Sequence, residues 1–122
     1  MGLDMYARAL HSKPATPVDF DMPDDSEELH YWRKHPNLHG WMKALYKSKG
    51  GASPDFNCNT LQLTADDLDK LEADIKGDHL PETTGFFFGK SSPEDKASDL
   101  EFIAKARAAL AAGKSVSYDS WW

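Results

Sequence analysis

Cysteine is almost absent from this sequence, because Cys58 is the only one among 122 residues. A single thiol cannot form an intramolecular disulfide, so the chain is expected to fold in a reducing compartment, with the cytoplasm as the default. Long apolar runs are also missing, since no stretch approaches the roughly 18 residues that a membrane-spanning helix requires. These two absences argue against a disulfide-stabilised secreted domain and against a protein that spans a membrane.

The common catalytic and cofactor signatures are missing as well. The sequence contains no Gly-rich phosphate loop, no dinucleotide fingerprint after a strand, no serine nucleophile elbow and no paired CxxC motif. His30, His35 and His39 are spaced by five and four residues, which does not place all three on one helical face, and no cysteine or nearby acid completes the set. We therefore predict neither a metal site nor a cofactor.

What the sequence does contain is the composition of one folded domain spanning residues 1–122. Hydrophobic residues make up 40%, charged residues 28% and aromatic residues 11%, which is typical of a globular chain and not of a disordered one. The formal net charge of −6 argues against a protein whose surface coats nucleic acid. Pro14, Pro17 and Pro23 indicate a proline-rich acidic loop at about residues 11–28.

Alternation of apolar and polar residues predicts strands at residues 3–10 and 115–122. A shorter apolar segment at 57–63 indicates a further strand that carries Cys58. The three phenylalanines at 86–88 indicate a short buried strand or a tight aromatic wedge. Together with the helices described next, this pattern predicts an α+β fold, in which a small, mainly antiparallel sheet packs against about three helices.

Three helices are predicted from their first residues and their apolar stripes. The first begins at Pro36, the second follows a Thr64 cap with Asp67 at its third position, and the third begins near Ser92. Gly77 is expected to close the second helix in the left-handed conformation. The predicted buried stripes are, in chain order, Leu38, Trp41, Met42 and Leu45; Leu68, Leu71 and Ile75; and Leu100, Ile103, Ala106 and Leu110.

Two charged runs of opposite sign lie next to each other. Residues 19–28 hold six acids and no Lys or Arg, whereas residues 30–49 hold five bases and no acid. The acids are Asp19, Asp21, Asp24, Asp25, Glu27 and Glu28, and the bases are Arg33, Lys34, Lys43, Lys47 and Lys49.

The basic run interleaves cations with aromatic rings, which is the combination that a nucleotide site uses for phosphate and base. On the first helix His39, Lys43 and Lys47 are spaced by four, and we predict that they form a polar stripe opposite the buried one. The competing interpretation is that Trp32 and Trp41 are core residues and the lysines a solvated face. The predicted ligand-binding residues are Tyr31, Trp32, Arg33, Lys34, His39, Trp41 and Lys43.

Three functions remain open on the residues alone. The first is a non-catalytic binding module for an anionic small molecule, and the second is an inhibitor of a host protein that uses the acidic run to imitate nucleic acid. The third is a small hydrolase or transferase that uses His39 with Asp4, Asp119 or Cys58, although a lone cysteine in an apolar strand is more often small and buried. A homodimer is a further alternative, since four Trp and six Phe exceed what a small core requires.

Five segments in combination resemble a family of small uncharacterised bacteriophage and prophage proteins. They are MGLDMY at 1–6, YWRK at 31–34, LHGW at 38–41, LPETTGFFFG at 80–89 and YDSWW at 118–122. This chain departs from the family's YWRK-x-N-x-[IL]-H-x-W run at Pro36. Some members carry a phosphoglycerate kinase label, which a chain of this length without a nucleotide loop does not support. The resemblance implies a phage accessory protein that acts on host components, as anti-defence proteins do, in the host cytoplasm.

Overall fold

The computed structural model describes residues 2–84 and 91–122, and the prediction for residues 86–88 lies outside that part of the chain. Four strands form one antiparallel sheet in the order β2-β1-β4-β3. This confirms the predicted α+β class. Among the described residues, no helix is both long enough and apolar enough to cross a membrane. The elements are β1 (Asp4–Leu10), β2 (Glu27–Arg33), α1 (Pro36–Ser48), β3 (Leu61–Leu63), α2 (Ala65–Lys76), α3 (Asp95–Ala111) and β4 (Ser115–Trp121).

The two central strands, β1 and β4, follow the predicted alternation. Met5 and Ala7 of β1 are fully buried, whereas the neighbouring Tyr6 and Arg8 are half-buried on the opposite face. In β4, Tyr118 is buried and lies opposite Ala7 across the ladder. The sheet therefore has an inner face that packs on the helices and an outer face that carries the polar side chains of β1.

Strand β2 is an element that the sequence patterns did not predict. Glu27 and Glu28 were assigned to the acidic loop, but they pair with Ala9 and Arg8 of β1. The strand lies at the edge of the sheet, and Trp32 is its one buried residue. An edge strand with so little buried surface shows no strong period-2 pattern, because most of its side chains remain in solvent on both faces.

Helix α1 begins at Pro36 as predicted, but its buried stripe is rotated from the predicted one. Leu38 and Met42 are buried as expected, and His39 and Tyr46 are buried beside them, whereas Trp41 and Leu45 are only half-buried. His39 is therefore part of the core, and the predicted polar stripe of His39, Lys43 and Lys47 is wrong at its first position.

The start of helix α2 confirms the predicted capping box. Thr64 Oγ1 accepts from the Asp67 N–H at 3.2 Å, and Asp67 Oδ2 accepts from the Thr64 N–H at 2.9 Å. Burial raises the pKa of Asp67, but the Lys49 ammonium and the Thr64 N–H outweigh it and hold that pKa below its ordinary value. The predicted left-handed closure at Gly77 is wrong, because its φ is −87° and the next residue, Asp78, has φ of +58°.

Replacing Thr64 with Ala should lower the free energy of unfolding by about 1 kcal/mol, because the substitution removes a helix cap. Urea denaturation followed by circular dichroism measures this change. Thr64→Ser retains the hydroxyl and is the matched control, which should stay close to the original protein. Equal losses in the two variants would show that the hydroxyl is not the stabilising group.

Helix α3 begins at Asp95, two residues later than Pro93, which was predicted as the first helical position after a Ser92 cap. Asp95 Oδ2 accepts from the Ser92 N–H at 2.7 Å, so this stretch forms a turn before the helix. Ile103 and Ala106 are buried as predicted, whereas Leu100 and Leu110 are half-buried. The buried positions of the helix are Asp99, Phe102, Ile103, Ala106 and Ala109.

Candidate functional site

The seven residues predicted as one binding site do not share one surface in the structure. Tyr31 and Arg33 project from the outer face of the sheet, because they alternate along β2 with Trp32, which projects into the core. Lys34 follows the strand and is exposed. The remaining three residues belong to α1, where His39 is buried and Trp41 and Lys43 are half-buried.

Trp32 is a core residue with 4% of its surface exposed. Its ring lies edge-on to Phe102 with 4.9 Å between centroids, and its Nε1–H donates to Asp99 Oδ1 at 3.0 Å. Trp41 is anchored as well, since its Nε1–H donates to Asp74 Oδ2 of α2 at 2.7 Å. Both indoles therefore hold elements of the fold together. Trp32 is a core residue, as the competing interpretation proposed, whereas Trp41 is only half-buried.

His39 is separated from Asp4 and Asp119, two of the partners that the third function requires. Its ring is 1% exposed and its Nδ1 lies 2.7 Å from the Tyr118 hydroxyl, inside the core. Burial lowers the pKa of His39 to about 4, with a smaller effect from the Lys43 ammonium. Asp4 and Asp119 lie on the outer face of the sheet, so the sheet separates them from this ring.

Cys58 also differs from its predicted setting. It is exposed rather than buried in a strand, and its φ of +63° places it in the left-handed region. Strand β3 begins only at Leu61, so the segment before it is a loop.

The outer face of the sheet carries two rows of side chains across three strands. Asp4 of β1 lies between Arg33 of β2 and Trp121 of β4. In the second row Tyr6 lies between Tyr31 and Asp119. Neighbouring strands are about 4.8 Å apart, so the outer members of each row are separated by about 10 Å at the backbone.

Hydrogen bonds hold these rows in place. The Tyr31 hydroxyl donates to Asp4 Oδ1 at 2.5 Å, and that hydrogen bond raises the pKa of Tyr31 to about 12. Arg33 Nε lies 3.4 Å from the same oxygen. The Arg8 guanidinium lies 4.8 Å from the centre of the Tyr6 ring, and its Nε donates to Asp119 at 2.9 Å. Each carboxylate therefore fixes a cation beside an aromatic ring.

Arg33 and Lys34 converge on the first described residue of the chain. A Cβ placed on Gly2 would lie 2.8 Å from Lys34 Cε and 3.1 Å from a terminal nitrogen of Arg33. Gly2 also lines a hollow of about 170 Å³ together with Asp4, Trp121 and Trp122. The structure thus brings two cations and an indole to the same end of the outer face. We call Gly2, Asp4, Tyr31, Arg33, Lys34 and Trp121 the open-face site.

Aromatic surface at the open-face site is accessible. Tyr31 is 44% exposed and Trp121 is 64% exposed, and these are the exposed large apolar side chains in the part of the chain that is described. Beside Trp121 runs a groove of about 440 Å³, within the range of about 300–1,000 Å³ typical of small-molecule sites. Phe20 and Met22 of the acidic loop and Tyr6 and Arg8 of β1 contribute to its walls.

The sequence patterns missed Trp121 of the open-face site and Tyr6 and Arg8 of the neighbouring groove, although a signal for them existed. The alternation at residues 3–10 places Tyr6 and Arg8 on the polar side of a strand, and the alternation at 115–122 does the same for Trp121. The sequence patterns did not show that β1 pairs with both β2 and β4, which brings these side chains close to Arg33.

The acidic run does not act as one unit. Asp19 is anchored, since it accepts from the Tyr46 hydroxyl at 2.6 Å and from Asn59 at 3.0 Å, and the first of these bonds helps to hold its pKa below the ordinary value. Glu27 belongs to β2 and contacts Lys114 at 3.3 Å. Within residues 2–84 and 91–122, no group of three or more His, Cys, Asp or Glu side chains is arranged to hold a metal ion.

Comparison of the chain with protein-family models, curated proteins and solved structures gives no match. The open-face site is therefore interpreted from its own residues and geometry.

Proposed function

We propose that this protein is a binding module that holds a planar, anionic small molecule, such as a nucleotide, at the open-face site. The observation that supports this proposal is that Arg33 and Lys34 converge on Gly2, beside the exposed indole of Trp121. A base stacks on the exposed ring, and the phosphate meets the two cations above a backbone that carries no side chain. Following the resemblance to phage proteins, such a module sequesters a host nucleotide in the cytoplasm.

The chemistry of the site favours one nucleotide over a long nucleic acid. Stacking of a base on an aromatic side chain contributes about 1–3 kcal/mol, and an arginine can bond a phosphate through two parallel N–H groups. Binding along a polymer instead depends on many phosphate contacts, which a net charge of −6 opposes. Asp4 and Asp119 on the same face would repel successive phosphates. Because Asp4 lies beside Arg33 Nε, a single phosphate would meet the terminal nitrogen of Arg33 that lies near Gly2.

Titration calorimetry with a panel of nucleoside mono-, di- and cyclic phosphates tests the proposal. At least one member should bind, and Trp121→Ala should weaken that binding by about 5- to 150-fold, which corresponds to the loss of one stacking contact. Arg33→Ala should weaken binding to the phosphorylated compounds and leave the weaker binding of the parent nucleoside unchanged.

Trp41→Phe is the matched control, since that indole lies on α1 and contacts α2 instead of the open-face site. It should bind like the original protein. Absence of heat with every compound would contradict the proposal, as would equal losses in the Trp121 and Trp41 variants.

A further inference from the structure

A second group of polar side chains lies on the inner side of the sheet, beside the buried Trp32 and not on the outer face that carries the open-face site. His35 precedes α1, Ser91 precedes α3, and Asp99 lies in the second turn of α3. His35 Nδ1 is 2.7 Å from Ser91 Oγ, and His35 Nε2 is 2.8 Å from Asp99 Oδ2. A hydroxyl, an imidazole and a carboxylate are thus connected in series.

The hydrogen bonds around Asp99 determine which ring nitrogen carries the proton. Asp99 Oδ1 accepts from the Trp32 Nε1–H and Oδ2 faces His35 Nε2, and a carboxylate has no proton of its own to donate. In the tautomer that satisfies both contacts, His35 Nε2 carries the proton and donates to Asp99, and Nδ1 accepts from the Ser91 hydroxyl. Both His35 and Asp99 are nearly sealed, with 3% and 1% of their surfaces exposed.

The series opens into a cavity of about 250 Å³ that Ser91, His35 and Asp99 help to line. Ile75, Leu80 and Pro93 supply apolar walls. Unlike His35 and Asp99, Ser91 is only half-buried. The cavity is smaller than the roughly 300–1,000 Å³ of typical ligand sites, so it suits a short acyl group.

We propose that Ser91 is a nucleophile and that this cavity hydrolyses short-chain carboxylic esters. Ser91 Oγ bonds to the carbonyl carbon while its proton moves to His35 Nδ1, and the carbonyl oxygen becomes an oxyanion. The carbon–oxygen bond to the leaving alcohol then breaks, and that alcohol takes the proton from Nδ1. A water molecule then attacks the carbonyl carbon of the acyl-Ser91 ester and gives one proton to Nδ1. The bond between that carbon and Ser91 Oγ breaks, the acid leaves, and Ser91 Oγ takes the proton back from Nδ1.

The surrounding backbone supports this step. The Asn37 N–H, in the first turn of α1, donates to Ser91 Oγ at 3.1 Å, so the positive end of the helix lies beside the reacting oxygen. Asp99 does not reach the substrate carbon, and it is a positioning residue that fixes the His35 tautomer. Asp95 also faces the ring, at 3.6 Å from Nδ1.

A structural explanation competes with this one, because Ser91 Oγ also caps α1. His35 is the N-cap residue of that helix and makes no side-chain cap of its own. A capping hydroxyl only accepts a hydrogen bond from a backbone N–H, and this does not make its oxygen more nucleophilic. Reactivity of the Ser91 oxygen therefore separates the two explanations.

Intact-mass spectrometry of the full chain treated with a small alkyl fluorophosphonate measures that reactivity. The reagent forms a phosphorus–oxygen bond to an activated serine and releases fluoride. The protein should gain one adduct, and Ser91→Ala should gain none. Ser92→Ala is the matched control on the adjacent serine, and it should react like the original protein. His35→Gln should slow the reaction by about a thousandfold or more.

Nuclear magnetic resonance of protein labelled with ¹⁵N-histidine tests the positioning role of Asp99. His35 should be observed as the Nε2–H tautomer, and Asp99→Asn should change that tautomer and slow adduct formation, with circular dichroism confirming that the variant is folded. The ester-hydrolysis proposal is overturned if the original protein gains no adduct, or if Ser91→Ala is modified equally.

Discussion

Replacing Trp32 with Ala should lower the free energy of unfolding by about 3–5 kcal/mol. The indole is 4% exposed and packs against Phe102, so its removal opens a cavity in the core. The substitution also removes the N–H that donates to Asp99, whose carboxylate is 1% exposed. Urea denaturation followed by circular dichroism measures the loss.

Two further tryptophan variants separate the causes of this loss. Trp32→Phe keeps much of the apolar volume and removes the N–H, and it should cost about 1–3 kcal/mol. Trp121→Ala truncates an indole that is 64% exposed, and its effect on stability should stay within about 0.5 kcal/mol. If Trp32→Ala and Trp121→Ala cost the same, the assignment of Trp32 to the core is wrong.

Lowering the pH from 7 to 4 should reduce the free energy of unfolding by about 3 kcal/mol through His39 alone. Burial lowers the pKa of His39 from 6.5 to about 4. Between these two pH values the unfolded chain binds a proton at this position and the folded chain does not, so acid favours unfolding. The contribution of the neutral ring is complete above pH 6.5 and is lost as the pH falls toward 4.

His39→Gln isolates this effect, because the variant has no group that titrates at this position. Its overall stability should be lower, since Gln cannot replace a ring that stacks on Phe56 at 5.2 Å. Its stability should nevertheless change less between pH 6.5 and 4 than that of the original protein. His79→Gln, at an exposed position, is the control and should keep the original pH dependence. Identical pH profiles for His39→Gln and the original protein would contradict the prediction.

Carboxylates add a separate loss of stability at lower pH. Asp19 and Asp67 have pKa values held below the ordinary 3.8, so their contribution is present above that pH and is lost below it. Burial also lowers the pKa of His30 from 6.5, so both histidines lose their contribution as the pH falls below 6.5, and the difference between His39→Gln and the original protein isolates the part that belongs to His39.

Local sequence patterns predicted most helices and strands of this protein because those patterns depend on near neighbours. The capping box at Thr64 and Asp67 and the proline at the start of α1 are contacts within a single helical turn. Strand β2 was missed for the opposite reason. It is held by its ladder to β1, and a pattern of near neighbours cannot show partners such as Asp4 and Arg33, which lie 29 residues apart.

The candidate sites were predicted only in part. Tyr31, Arg33 and Lys34 belong to the open-face site, but Trp32 was placed with them because adjacency in sequence was taken as adjacency in space. In a strand, successive side chains project to opposite faces, and β2 separates Trp32 from both of its neighbours. A strand at residues 27–33, had it been recognised, would have divided the predicted set correctly.

The sequence by itself determined the fold class, the caps and the apolar sides of the main elements, since these follow from residue type and from periods of 2 and 3.6. Only the tertiary structure decided which polar groups meet. Ser91 and Asp99 reach His35 across 56 and 64 residues, and Trp121 lies one strand away from Asp4 although the two are near opposite ends of the described chain. These long-range contacts depend on strand order and helix packing, which a local sequence pattern does not contain.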